Sequence, residues 1–160
     1  MKQFKSKLIL RTFDGTMEEL KLTPCNKNTK VGFQIKYYNE MDIWTKASII
    51  FEGVISVDFG INYFSNCMGS DLGGFYEIFE NDYKIQLIEK IFENRRQGYL
   101  LHGDYDYDST DDNDSLNNRE SIEDILKQLD CYHLYQQQVY SGIFLVLAKS
   151  YCLVEHKNEG

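Results

Sequence analysis

The sequence predicts an α+β protein: a mostly antiparallel β-sheet, curved or sandwich-like, with one main helix and one short helix. Three observations predict it. Val31–Tyr37 alternates, with Val31, Phe33, Ile35 and Tyr37 on one side and Gly32, Gln34 and Lys36 on the other; this is the period of a half-buried strand. Cys131–His156 collects apolar, β-branched and aromatic residues without a proline, which favours a pleated backbone. Asp82–Gln97 carries Ile85, Ile88, Ile91 and Phe92 at helical spacing, flanked by Leu87. The 160 residues fit one domain, and a chain of this length buries roughly two thirds of its unfolded surface. A hydrophobic content of 42% argues against global disorder.

In chain order, Lys5–Phe13 and Met17–Thr23 read as a hairpin joined through Asp14–Gly15. Pro24 and Asn26–Thr29 end the second strand, Val31–Tyr37 follows, and Asn39–Asp42 reads as a turn. Ile43–Phe59 is long for one strand, and Gly53 divides it, giving two strands or one sharply bent strand with a bulge. Ala47, Ile49 and Phe51 share a face before Gly53, and Ile55, Val57 and Phe59 share one after it. Gly60–Gly74 is a loop and Phe75–Phe79 a short strand. The main helix is capped by Asn81 or Asp82 and stops at Gly98, a C′ glycine, with Gly98–His102 as a brief strand. Its apolar stripe is expected to lie on the sheet. Asp104–Asn118 offers only Tyr105, Tyr107 and Leu116 for burial, too little to offset about 1–2 kcal/mol of ordering per residue. It is expected to be a flexible acidic insertion in a single domain. Arg119–Leu129 is the second helix, with Ile122, Ile125, Leu126 and Leu129 in register. Cys131–His156 then folds into a ribbon about a turn at Ser141–Gly142, and Glu155–Gly160 frays.

The charge is unevenly placed. Of 25 acids and 17 bases, ten acids but only Arg119 and Lys127 fall between Asp104 and Asp130. The remaining 15 acids and 15 bases cancel, so the net charge of −8 sits in one segment. A nucleic-acid binder carries the opposite sign, so the expected partner is a basic protein. The expected contact residues are Asp104, Tyr105, Asp106, Tyr107, Asp108, Asp111, Asp112 and Asp114.

Other chemistries are poorly supported. Asp104, Asp106 and Asp108 match the start of an EF-hand, but Ser109 stands where glycine is needed and Ser115 where a bidentate Glu is needed. No metal or cofactor is expected. Cys25, Cys67, Cys131 and Cys152 form no CxxC pair, and His102, His133 and His156 form no HExxH motif. A turn at Ser141–Gly142 would set Cys131 opposite Cys152 and His133 opposite Ser150, a possible Cys/His site; paired buried thiols beside a hydrogen-bonded histidine are the plainer reading. Gly69, Gly73 and Gly74 lack the order and the lysine of a phosphate loop. Trp44 with Tyr37–Tyr38 fits a carbohydrate or protein contact, or simply closes the rim of a sheet. The longest apolar run near the start is Leu8–Leu10, and no run approaches the ~20 residues of a membrane span. A cytoplasmic location with reduced thiols is expected.

The stretch ASIIFEGVISVDFG, followed by a Gly-rich loop and FYEIFE, resembles the central strands of several small bacterial domains of unknown function. CYHLYQQQVYSGIFLVLAKSYCLVE resembles their closing segment. Some of these families are catalogued as immunity proteins of bacterial toxin systems. The carriers are Phe51, Glu52, Val54, Tyr132, His133, Leu134, Tyr135 and Glu155. The chain departs at Gln136–Gln138 and in its acidic insertion. The resemblance transfers no catalytic residue and implies a non-enzymatic inhibitor that binds a toxin. The alternatives are a small-molecule or carbohydrate-binding domain with an aromatic groove, and an enzyme centred on His133 or His102.

Overall fold

The computed structural model describes residues 5–24, 29–59, 71–102, 122–139 and 142–157. The chain divides into two compact units, Met1–Glu80 with Tyr132–Gly160, and Asn81–Cys131.

The first unit is a sandwich of two antiparallel sheets. Its strands are β1 (Ser6–Leu10), β2 (Thr16–Pro24), β3 (Thr29–Tyr38), β4 (Trp44–Glu52), β5 (Ser56–Phe59), β6 (Phe75–Ile78), β7 (His133–Val139), β8 (Gly142–Ala148) and β9 (Ser150–His156). One sheet runs β1-β6-β7-β8-β5 and the other β2-β3-β4-β9. The alternation in β3 does what its period requires: Val31, Phe33, Ile35 and Tyr37 are buried, as are Ala47, Ile49 and Phe51 of β4. Against them lie Phe75, Tyr135, Phe144 and Val146 of the five-stranded sheet. The Phe33 ring lies 5.1 Å from Phe51, 5.9 Å from Phe59 and 6.2 Å from Phe144, so aromatic edges and faces bridge the sheets. Leu134, Leu145 and Leu147, on the other face of the five-stranded sheet, are also buried. That is why Ile143–Ala148 reads as an unbroken apolar run instead of an alternation.

Two sequence expectations need correction here. Lys5–Phe13 does not form a hairpin with Met17–Thr23: β1 pairs with β6 and β2 with β3. Asp14 does adopt φ 61°, but the turn carries the chain from one sheet to the other. A Cβ on Gly15 would lie 2.6 Å from the Lys36 carbonyl oxygen, so this glycine serves a close backbone approach. Secondly, the terminal stretch is not one ribbon. β7 and β8 pair with Val139 opposite Gly142 and His133 opposite Ala148, and β9 then joins β4 in the other sheet. Val57 and Phe59 of β5 do share a face, opposite Val146 and Phe144, and Val57 is the more exposed of the two because β5 is a sheet edge.

The second change of sheet and the split at Gly53 are one feature. β4 pairs with β9 up to Glu52–Ser150, and β5 pairs with β8 from Ser56–Leu147. The four strands form a single two-stranded ribbon folded at a corner. Gly53 has φ 63° there, and the Lys149 amide donates to the carbonyls of Glu52 and Gly53 at 3.0 and 3.2 Å.

The second unit contains α1 (Asn81–His102), α2 (Ile122–Lys127) and a 3-10 turn, Leu129–Cys131. Leu87 and Ile88 of α1 are buried, and Ile85, Ile91 and Phe92 are half-buried, as the spacing requires. The expected stop at Gly98 and strand at Gly98–His102 are overturned, because the helix continues to His102. One glycine costs a helix about 1 kcal/mol, and Tyr99–His102 contains no proline to halt propagation. The second helix ends earlier than expected, at Lys127, and tightens into the 3-10 turn.

Candidate functional site

The eight expected contact residues, Asp104, Tyr105, Asp106, Tyr107, Asp108, Asp111, Asp112 and Asp114, lie outside the described residues, as does the rest of the Asp104–Asn118 insertion. Within the described residues two surface clusters stand out.

The first is the tip of the β3–β4 hairpin. Tyr38 pairs with Trp44 across the strands, and their rings lie 4.9 Å apart at 58°. Asn39 organises the loop. Its Oδ1 accepts from the amides of Met41 and Ile43 at 2.9 and 3.0 Å, and its own amide donates to the Ile43 carbonyl at 3.0 Å. Asp42 takes a left-handed φ of 57°, which a short polar side chain tolerates. Thr45 Oγ1 donates to the Ile43 carbonyl at 2.7 Å. On this pinned loop, Tyr38, Met41, Ile43 and Trp44 are 51, 75, 50 and 38% exposed. Glu40 and Asp42 are exposed beside them. Tyr37 does not belong to the cluster: it faces inward and donates to Glu155 Oε1 at 3.1 Å. The apolar Met41 inside the Asn39–Asp42 turn, and Ile43 directly after it, were the legible signal for this tip.

The second cluster surrounds His133. Glu77 of β6 stands opposite Tyr135 of β7, so Glu77 and His133 are diagonal neighbours on one face, within reach of each other. His133 Nδ1 lies 3.1 Å from Glu77 Oε2. A carboxylate only accepts, so Nδ1 carries a proton and donates it to Glu77. Tyr135 and Tyr151 complete the group, with ring centroids 5.2 Å apart. Burial, with help from the Glu77 charge and Tyr151, pushes the Tyr135 phenol up to about 12. The arrangement holds an oriented, half-exposed imidazole. Glu77 was not legible in the sequence, because its place beside His133 depends on β6 pairing with β7.

The Cys131–His133–Cys152 constellation is overturned. Cys131 ends the 3-10 turn, Cys152 lies opposite Ile50 in the other sheet, and both are exposed free thiols. His156 lies 2.7 Å from Ser48 Oγ, and His102 ends α1. Gly73 and Gly74 are engaged by glutamines: the Gly73 amide donates to the Gln138 carbonyl at 3.0 Å, and the Gly74 carbonyl accepts from the Gln138 amide at 3.1 Å. Among the described residues, no group of three or more His, Cys, Asp or Glu side chains is placed to hold a metal. No helix among them is long and apolar enough to cross a membrane.

No family model, no curated protein and no solved structure matches this chain.

Proposed function

We propose that the protein is a non-enzymatic binding protein, most concretely an immunity-type inhibitor of a bacterial toxin, acting in the cytoplasm. In this reading the acidic segment Asp104–Asp130 docks on a basic protein partner, such as the substrate channel of a nuclease. The observation that carries it is the confinement of the whole net charge of −8 to that segment. Concentrated negative charge speeds encounter with a cationic surface and makes it salt-sensitive. The hairpin tip lends support, because its exposed side chains are apolar or acidic and its loop is pinned by Asn39. Aromatic anchors on a preorganised loop suit a protein contact.

The Tyr38–Trp44 pair is also the basis of the alternative, a carbohydrate or small-molecule site. Its rings are inclined at 58°, so they do not make one flat platform for a sugar, and the protein-binding reading is preferred.

The test uses the full chain, immobilised and exposed to cell extract at about 50 and about 500 mM salt. Captured proteins are identified and their association rates measured. Basic proteins released by salt are expected. Replacing Asp104, Asp106, Asp108, Asp111, Asp112 and Asp114 by Asn should slow association roughly tenfold or more. An unchanged rate removes the mechanism.

A further inference from the structure

The two edges of the four-stranded sheet are protected unequally. β2 is broken by a bulge between Met17 and Glu19. It also carries charge: Glu18 lies 3.0 Å from Lys36 and 3.7 Å from Lys46, and Glu19 lies 3.7 Å from Lys21. The Lys36 hydrogen bond holds the Glu18 carboxyl below its usual value, so these charges are engaged at neutral pH. Bulges and charges are the devices that stop an edge from recruiting another strand.

β9 has no bulge, and its one carboxylate, Glu155, accepts from Tyr37 of the same sheet. Its register with β4 is unbroken from His156 opposite Lys46 to Ser150 opposite Glu52. No described strand pairs with its other side. Six of its seven residues are exposed, with Cys152 and Val154 on the outer face, and no lysine, arginine or proline lies within it. A regular edge of this kind presents a row of backbone donors and acceptors to any strand that can lie beside it.

We propose that β9 pairs antiparallel with β9 of a second copy of this chain, joining two four-stranded sheets across a two-fold axis. Self-complementarity selects this occupant. A two-fold centred on Cys152 sets Lys149 opposite Glu155 twice, Tyr151 opposite Leu153 and Ser150 opposite Val154. Shifting the centre to Leu153 instead sets Lys149 opposite Lys157. Opposite charges directly across a ladder stabilise it and like charges destabilise it, so charge fixes the register. Lys149 is exposed, with its ammonium 5.7 Å from the Tyr132 ring. An isologous contact of this kind closes on itself. Pairing along seven residues buries less than the ~1,200 Å² of a standard interface, so the dimer is weak and concentration-dependent. The inference is independent of the acidic segment.

Sedimentation velocity of the full chain under reducing conditions, from about 5 to about 500 µM, should show a concentration-dependent shift towards twice the chain mass. A variant with Cys25, Cys67 and Cys131 replaced by Ser should form a covalent dimer through Cys152 under mild oxidation. Lys149→Glu should weaken association roughly tenfold, Glu155→Lys should do the same, and the two together should restore it. Far-UV circular dichroism and thermal melting verify that each variant folds, and the Cys152 cross-link needs no substitution in the strand. A monomer at every concentration overturns the proposal. So does a dimer that ignores both charge reversals or fails to cross-link at Cys152, because another surface is then in use.

Discussion

The chain passes between its two sheets in two places, and they are built on different principles. At the Gly53–Lys149 corner the backbone does the work. A two-stranded ribbon keeps its hydrogen bonds through the fold, with the Ile55 amide donating to the Leu147 carbonyl at 2.9 Å and the Lys149 amide to Glu52 at 3.0 Å. At the Thr12–Gly15 crossing there is no ladder to continue, and side chains replace it. Gln137, fully buried in the middle of β7, donates from Nε2 to Thr12 Oγ1 at 3.1 Å and to the Gln138 carbonyl at 3.0 Å. Longer contacts of 3.4 Å reach the carbonyls of Gly73 and Gly74, and Thr12 Oγ1 in turn donates to Gly73. The backbone corner carries amide–carbonyl bonds through the fold but depends on one residue's conformation. The side-chain seam tolerates irregular loops but leaves Gln137 Oε1 buried without a partner.

The largest effect should therefore follow from disturbing the corner. Gly53 has φ 63°, and a Cβ there would lie 2.8 Å from Lys149 Cγ. Gly53→Val combines backbone strain with a steric conflict and should cost about 2–4 kcal/mol in urea unfolding. Gly53→Asn should lose less, because asparagine visits the left-handed region more readily. A valine variant within about 0.5 kcal/mol of the parent would mean that the ribbon bends elsewhere.

Gln137→Leu should cost less, about 1–3 kcal/mol. It leaves the carbonyls and hydroxyl around Gln137 short of a donor, yet it also deletes the unpaired Oε1. The same substitution at the exposed Gln128 serves as a control, since surface changes stay within about 0.5 kcal/mol. Equal losses at the two positions would deny the seam its structural role.

The contrast also explains what the sequence made legible. Strand periods in β3 and β4 depend on burial of one face, which is local information, so Phe33, Ile35, Ala47 and Ile49 could be assigned directly. Gly53 was legible as a break because few other residues take positive φ. The partners of β1 were not, since Asp14–Gly15 specifies a turn and not which strand follows it across the sheet. The register of β7 on β8 was missed because Phe144–Ala148, buried on both faces, has no alternation to anchor a turn. The same gap set Cys131 wrongly opposite Cys152, whereas Glu77 beside His133 was hidden because no local pattern announces that β6 pairs with β7. The hairpin tip was half legible: Tyr38 and Trp44 were marked as candidates, and the alternation of β3 already set Tyr37 on the buried side with Phe33 and Ile35, although Tyr37 also reads as part of a cluster with Trp44.

The smallest effect tests whether hydrogen bonding or simple burial governs the inner face near the side-chain seam. The Tyr37 Cβ lies 3.1 Å from where a Gly15 Cβ would sit, and its hydroxyl donates to Glu155 of β9. Burial first, then the Glu155 hydrogen bond and the charges of Glu155 and Glu40, push this phenol up to about 12 from 10.0. The folded protein therefore holds a proton that the unfolded chain releases near pH 10. Its contribution is fully present below pH 10 and is lost as pH rises from 10 through 12. Tyr135 is raised to the same value, so both phenols make stability fall over that range. Tyr37→Phe should lower neutral stability by about 0.5–1.5 kcal/mol and make the alkaline decline shallower by up to one proton. A decline as steep as the parent's would show that Tyr37 ionises no later in the fold than in the open chain. The Glu155 contact would then contribute nothing to joining β3 and β9, and the inner face beside the seam would rest on packing alone.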